Sequence, residues 1–426
     1  MNKGEKCLVT KTGIPVYTYL DPHSHGFFVS LFVKSGCMHE QEEQNGITHF
    51  LEHAAIRNVN AVMDGELYRL LDRYGIEFNA STFSEMVQFY LSGAVENFSH
   101  AVRIIKELFS PIILSRTELD SERDRIKAEI READDGGSLT AFTQEKVFEG
   151  TSLSRPITGT LRSVSRIGKR ALEEHRRRIF TPDNLFLYLT GGVADEGVRE
   201  LCRMLDGVTV CGGQRCENIA PVPVGFLKRQ GGVYIKSAQY TGIRLSFDLD
   251  MSEVGVAELD LLYDAVLSGY SSPLFMELSE RRGLCYDLSG STERYKNIGV
   301  LSFGFETRDM RLDEALEVTL GILEQMKDED YWRRAPVGAS YVDNCMMLYD
   351  DNRDLNFTFA YDNHLLDLGY ADLEDRRAAY ERAREPSRLA EVCRRVFRIE
   401  GLTVTVRGNK RRVNTEYLNE LINKYL

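Results

Sequence analysis

Apolar positions along this chain fall into runs that predict a definite order of elements. Leu8-Val9, Ile14–Tyr19 and Gly26–Val33 read as strands, with Asp21-Pro22-His23-Ser24 as turn chemistry between the last two. Helical spacing follows over about 46–55 and 64–74, and Gly75 stands where a helix end needs a residue free to turn left-handed. A hairpin is predicted from Glu77–Ser81 and Met86–Leu91, then helices near 95–109 and 117–134. Leu185–Thr190, closed by Gly191-Gly192, is a further buried strand.

The second half repeats this plan. Tyr240–Leu249 takes the role of Phe27–Val33, and Val254–Tyr270 is an apolar helix. Leu274–Leu278 with Gly283 corresponds to Leu67–Leu71 with Gly75, and each glycine is followed by two strands and a helix (Val300–Glu306 and 312–327; Val87–Ser92 and 97–109). Between the halves the composition changes from Gly212-Gly213 to Gly231-Gly232, around Ala220-Pro221-Val222-Pro223-Val224. The expected organisation is a domain over 1–215, a linker over 216–232 and a homologous domain over 233–426. The fold class is α+β: two homologous α/β sandwiches, each an antiparallel-rich sheet with helices packed on one face.

Composition narrows the classes. A length of 426 residues with 43% hydrophobic content supports more than one packed core. The formal charge of −12 disfavours a nucleic-acid-binding protein, and the basic runs Arg176–Arg178 and Lys410–Arg412 are expected to be solvated helix or loop edges. No long uncharged apolar stretch predicts a membrane span, and Met1–Lys6 does not lead into an export signal. The eight scattered cysteines then read as reduced thiols, and a cytoplasmic protein is expected. Cys211 and Cys216 lack a second Cys/His pair close by in sequence, which argues against a metal there.

Chemistry concentrates in His49-Phe50-Leu51-Glu52-His53. Positions i and i+4 of a helix stack one turn apart, so both imidazoles can reach one ion, with the Glu52 carboxylate bordering the same site. Zinc suits two neutral imidazoles, and a catalytic zinc needs a third protein ligand and an open position. The helix at 117–134 offers Glu122 and Glu129, two turns apart on one face. One can bind the metal while the other reaches a ligand histidine, although so charged a helix also fits a plain solvated face.

H-x-x-E-H is the inverted zinc motif, and the chain as a whole resembles the pitrilysin/insulinase metallopeptidases. In that family a glutamate beyond the second histidine completes the zinc site; its spacing falls on Glu129, 76 positions after His53. A second family glutamate, near the metal but not bound to it, corresponds to Glu122. The family's Asn-Ala pair opening a peptide-binding edge strand matches Asn79-Ala80 in Phe78–Thr82, with Tyr90 later. Thr181–Leu185 and Arg282-Gly283-Leu284-Cys285-Tyr286 fit later family elements, so the resemblance runs from about 8 to about 410. One departure stands out. Active single-subunit relatives carry an arginine seven residues before the tyrosine, and the two hold the substrate backbone; here Tyr286 is preceded at that spacing by Ser279, and Arg281 and Arg282 are off register. Serine cannot supply the charged bidentate donor.

The resemblance implies a zinc endopeptidase acting on peptides or unfolded segments inside a chamber closed by two subunits. One zinc ion would be held by His49, His53 and Glu129, with Glu52 as general base and then acid, Glu122 behind the ligands, and Asn79, Ala80 and Tyr286 meeting substrate. The missing arginine implies the zinc-bearing member of a heterodimer whose homologous partner supplies an Arg–Tyr pair, or a homodimer that manages without it. The alternative is a non-catalytic peptide-binding or structural subunit, which in the family goes with a broken zinc motif. Trimming of leader segments from ribosomally made peptides is a further family activity, and no residue here selects it.

Overall fold

The structure is a computed structural model and describes residues 4–134, 138–210, 232–238, 241–268 and 271–426. The predicted linker, apart from Gly232, and the pair Cys211 and Cys216 lie outside the described residues. The remaining six cysteines are free thiols.

The chain forms two compact units, and they are not contiguous halves. The first contains the chain up to Asp134, resumes at Arg155, and takes in Met346–Leu373 from late in the sequence. The second contains the segment ending at Ser154, most of the later chain up to Cys345, and Glu374–Leu426.

The first unit is built on a six-stranded sheet of order β1-β2-β6-β3-β5-β4. Its strands are β1 (Lys6–Val9), β2 (Pro15–Leu20), β3 (Gly26–Val33), β4 (Glu77–Thr82), β5 (Val87–Ala94) and β6 (Leu185–Gly191). The apolar run of β3 has no polar face because both of its faces are covered. Phe27, Val29, Leu31 and Val33 enter one core with α1 (Ile47–Val62), α2 (Leu67–Tyr74), α3 (Phe98–Glu107) and α4 (Arg116–Asp134). Phe32 alternates to the opposite face, where it meets Phe186, Tyr188 and the helix Asn352–His364. The helix layer expected on one face is present, and this late helix covers the other.

The second sheet has the order β7-β11-β8-β10-β9. Its strands are β7 (Gly232–Ser237), β8 (Thr241–Asp250), β9 (Leu288–Arg294), β10 (Ile298–Thr307) and β11 (Leu402–Gly408). It repeats the order of the first from β2 onward, without a counterpart of β1 among the described residues: β2 pairs parallel with β6 as β7 does with β11, and β3 lies antiparallel between β6 and β5 as β8 does between β11 and β10. Gly75 (φ 59°) and Gly283 (φ 56°) end the corresponding helical segments in the left-handed conformation, as their spacing predicts. The exchange of helices is also reciprocal. Here α5 (Leu139–Val147), from early in the chain, lies on β8 and β11, with Thr143 and Thr405 hydroxyls 2.6 Å apart. The expected helices appear with small shifts of boundary, α1 running on to Val62 where the pattern faded near 55. Tyr331-Trp332 and Leu355–Phe359 pack as expected: Trp332, Leu355 and Phe359 are buried.

Among the described residues no helix is long and apolar enough to cross a membrane.

Candidate metal centre

The site begins at the entry to α1. Gly46 precedes the helix with φ 89° and has no side chain to cap it. The cap comes from Glu40, whose carboxylate accepts the backbone N–H of Gly46 and of Thr48, both at 2.8 Å, and the Asn45 amide at 3.1 Å. A buried anion there also suits the helix dipole. One turn of the same helix is fixed from the side: Arg178 donates to His175 Nδ1 at 2.9 Å, which leaves Nε2–H to donate to Thr48 Oγ1 at 3.0 Å. Phe50, Leu51 and Ala54 face the core, so the other side of α1 presents Glu52 and His53.

His49 and His53 stand as their spacing requires, with ring centroids 4.6 Å apart. On α4, Leu119, Ile126 and Ile130 are buried and seat the helix against the core. That places Glu129 with one carboxylate oxygen 3.7 Å from His49 Nε2 and the other 3.7 Å from His53 Nε2. One donor atom from each of the three lies within 4.8 Å of the others. Donors bound at ~2.1 Å around a tetrahedral zinc sit roughly 3.4 Å apart, so this spacing is close to what the ion needs. Burial holds the His49 imidazolium down to a pKa of about 4, with His53 beside it as a lesser cause. The ring is therefore neutral and its lone pair is available at ordinary pH. Two imidazoles, a carboxylate and an open side form a donor set that fits zinc.

Glu122, two turns earlier, is 3% exposed and reaches His53 Nδ1 at 3.6 Å. It also takes Arg57 at 2.6 Å and Arg125 at 3.2 Å, which compensate its buried charge. The reading of α4 as a wholly solvated charged face thus fails at this residue. Glu52 is 8% exposed, and burial raises its pKa while a 2.6 Å hydrogen bond from Thr82 Oγ1 opposes that rise. A carboxylate made more basic in this way can take a proton. Glu52, His53, Asn79 and Tyr68 line a cavity of about 760 Å³.

Asn79 and Ala80 lie on β4, the last strand of the sheet, paired on one side with Tyr90 and Phe89. Tyr286 belongs to the second unit, is 95% exposed, and lines a cavity there of about 430 Å³ with Arg244 and Arg407. Ser279 donates to the Tyr286 carbonyl at 3.4 Å, and Arg281 and Arg282 both engage Glu277. Sequence reasoning did not single out Thr82, Arg57, Arg125 or Glu40. Thr82 and Arg57 act on residues 30 and 65 positions away, whereas Arg125 and Glu40 act within eight residues of themselves but carry no motif of their own.

Two family models match the chain: insulinase (peptidase family M16) over residues 16–161, and peptidase M16 inactive domain over residues 166–332. A protein named uncharacterized zinc protease from Rickettsia bellii is 26% identical over 338 residues, 76% of this chain and 79% of that protein. The beta subunit of human mitochondrial-processing peptidase is 24% identical over 185 residues, 43% of this chain and 38% of its own. Among solved structures, a protease from Helicobacter pylori superposes with a TM-score of 0.79 at 17% identity, covering 95% of this chain and 99% of its own. With both sheets, the inverted motif and these matches in agreement, the chain belongs to the insulinase family, peptidase family M16.

Proposed function

We propose that this protein is a zinc-dependent endopeptidase, with His49, His53 and Glu129 as ligands of a single zinc ion and Glu52 as general base. The observation that carries this reading is the approach of the three donor atoms to within 4.8 Å of one another, with Glu52 on the neighbouring cavity wall. Bound there, zinc would supply Lewis acidity toward a scissile carbonyl and toward water. Glu52 takes the proton of the attacking water and returns one to the leaving amine. Glu122 orients His53 through Nδ1, which fixes the ring nitrogen left for the metal. The free side of β4 at Asn79-Ala80 accepts an extended peptide as an added strand, which selects backbone over side chain and so favours unfolded segments.

Zinc-loaded wild type and Glu52→Gln run on a mixture of short unstructured peptides test the assignment. Wild type should cut, and Glu52→Gln should lose at least about a hundredfold in kcat with its zinc retained. Glu129→Ala should lose its zinc; a fully loaded variant would remove Glu129 from the ligand set. A wild type that holds zinc and cuts nothing alone would favour a division of labour. The motivating observation is Ser279, which donates to its own chain where a guanidinium is expected, while Arg281 and Arg282 are taken by Glu277. The partner would then be a homologous subunit that supplies the arginine and closes the chamber. Activity on adding such a subunit supports that arrangement, and full activity of a homodimer dismisses it.

A further inference from the structure

The edge strand β4 does more in this fold than border the site. Its residues alternate between two faces. Phe78 and Ala80 pack into the core shared with α1, and Thr82, on the same alternation, donates to Glu52 at 2.6 Å. Glu77 points the other way. One guanidinium nitrogen of Arg353 lies 2.8 Å from both of its carboxylate oxygens, and the Tyr90 and Ser92 hydroxyls reach the same carboxylate at 3.2 and 3.3 Å. The guanidinium is also 5.0 Å from the Tyr90 ring and 5.6 Å from the Phe28 ring.

Arg353 is not a loose surface residue. It sits in the first turn of Asn352–His364, a helix tied to the sheet by fully buried Asn356. The Asn356 amide donates to the Phe28 and Tyr188 carbonyls at 3.1 and 2.9 Å, and its oxygen accepts Ser30 Oγ at 2.8 Å. Further along, Tyr361 donates to Glu85 and Phe357 packs on Phe83, both at the β4–β5 turn. Backbone bonds from Cys37 and Met38 hold that turn as well, at 3.4 and 2.9 Å. The other end of β4, at Glu77, has the Arg353 guanidinium as its cation.

We propose that Thr82 and Arg353 are positioning residues: Arg353 holds the outer strand from one face, and Thr82 uses that strand to set the direction of the Glu52 carboxylate on the other. Docking of a peptide on β4 and orientation of the base are then properties of one strand. The inference rests on the peptidase reading for its kinetic consequence, while its structural consequence stands apart from activity. An exposed ion pair alone contributes little; here the ring contacts and the anchored helix make the constraint.

The test uses the full zinc-loaded chain as wild type, Thr82→Val, Thr82→Ser and Arg353→Gln. Its readouts are kinetics on an internally quenched peptide, zinc content, amide exchange over residues 77–82 and crystal structures. In Thr82→Val, kcat should fall about tenfold or more with KM and zinc content held within about twofold, since a displaced base costs turnover and not binding. Thr82→Ser, which keeps the hydroxyl, should stay within about threefold of wild-type kcat. In Arg353→Gln, exchange over 77–82 should speed by about tenfold and KM should rise. The crystal structure of Thr82→Val should show the Glu52 carboxylate turned from its wild-type position.

An unmoved carboxylate, kcat within twofold of wild type, or Thr82→Ser as impaired as Thr82→Val would overturn the role of Thr82. Unchanged exchange in Arg353→Gln would overturn that of Arg353. If Thr82→Val does not fold, Thr82→Ala takes its place in every arm. A wild type that cuts no peptide, alone or with a homologous partner subunit, would undo the peptidase reading, and the crystal and exchange readouts would still decide this one.

Discussion

Glu122 illustrates how a residue's place changes its chemistry. A carboxylate on a helix this rich in charge is ordinarily solvated, yet this one is 3% exposed between Arg57, Arg125 and His53. Its cations are better solvated than it is, Arg57 at 33% and Arg125 at 69% exposed, so the partner most affected by its loss is the His53 ring at 18%. Glu122→Gln should therefore weaken zinc binding by about 10–100-fold, through the freed His53 ring. Competition with a chelating dye measures this, and a variant that holds zinc as tightly as wild type would remove Glu122 from the site. The pair at 122 and 129 was legible from spacing. Which of the two meets both histidines was not legible from the helix alone, since that depends on how α4 lies across α1.

At the scale of elements, the β4–β5 turn carries a titration of its own. Burial pushes the Glu85 carboxyl up to about 7, partly opposed by the hydrogen bond from Tyr361. The folded chain then holds this proton up to about pH 7, while the unfolded chain releases it near the ordinary 4.5. Between those values the folded state binds more protons, so stability falls as pH rises through the window. Glu85→Gln should flatten that decline and be more stable than wild type at pH 8 by on the order of 1–3 kcal/mol. Urea unfolding at pH 5 and pH 8 checks the sign; equal slopes with pH in the two proteins would show that Glu85 ionises freely. Strand and helix identities at this scale followed from local pattern, as with α2, where Leu67, Leu70 and Leu71 precede a glycine in the left-handed region. The length of α1 was less legible. Its last turns carry Arg57, Asn58 and Asn60 in place of a clear apolar stripe, and tertiary contact decides where it ends.

For the whole molecule, the reciprocal exchange of helices has a direct consequence. The first unit includes Met346–Leu373, so a protein cut after residue 210 would lack the helix that covers Phe32, Phe186 and Tyr188. Those side chains would lie open on the sheet as a contiguous apolar patch of the kind that drives association. Such a fragment should aggregate or unfold, and should recover when Met346–Leu373 is supplied as a peptide. Gel filtration and circular dichroism report both outcomes, and a monomeric, cooperatively folding fragment would show that the helix is dispensable.

Sequence by itself determined what depends on short spacing: the His49–Glu52–His53 face, the glycine-ended helices, the duplicated order of strands, and Glu129 once the family resemblance supplied its distance. Helical and strand periods are local, and a repeat doubles the signal. Tertiary structure alone decided what depends on chain segments meeting over hundreds of residues. The approach of Arg353 to Glu77, the bond from Thr82 to Glu52, and the seat of Asn356 between β3 and β6 have no trace in local pattern. Their partners are chosen by packing, and the same run Leu355–Phe359 could have covered either sheet until the fold brought it to the first.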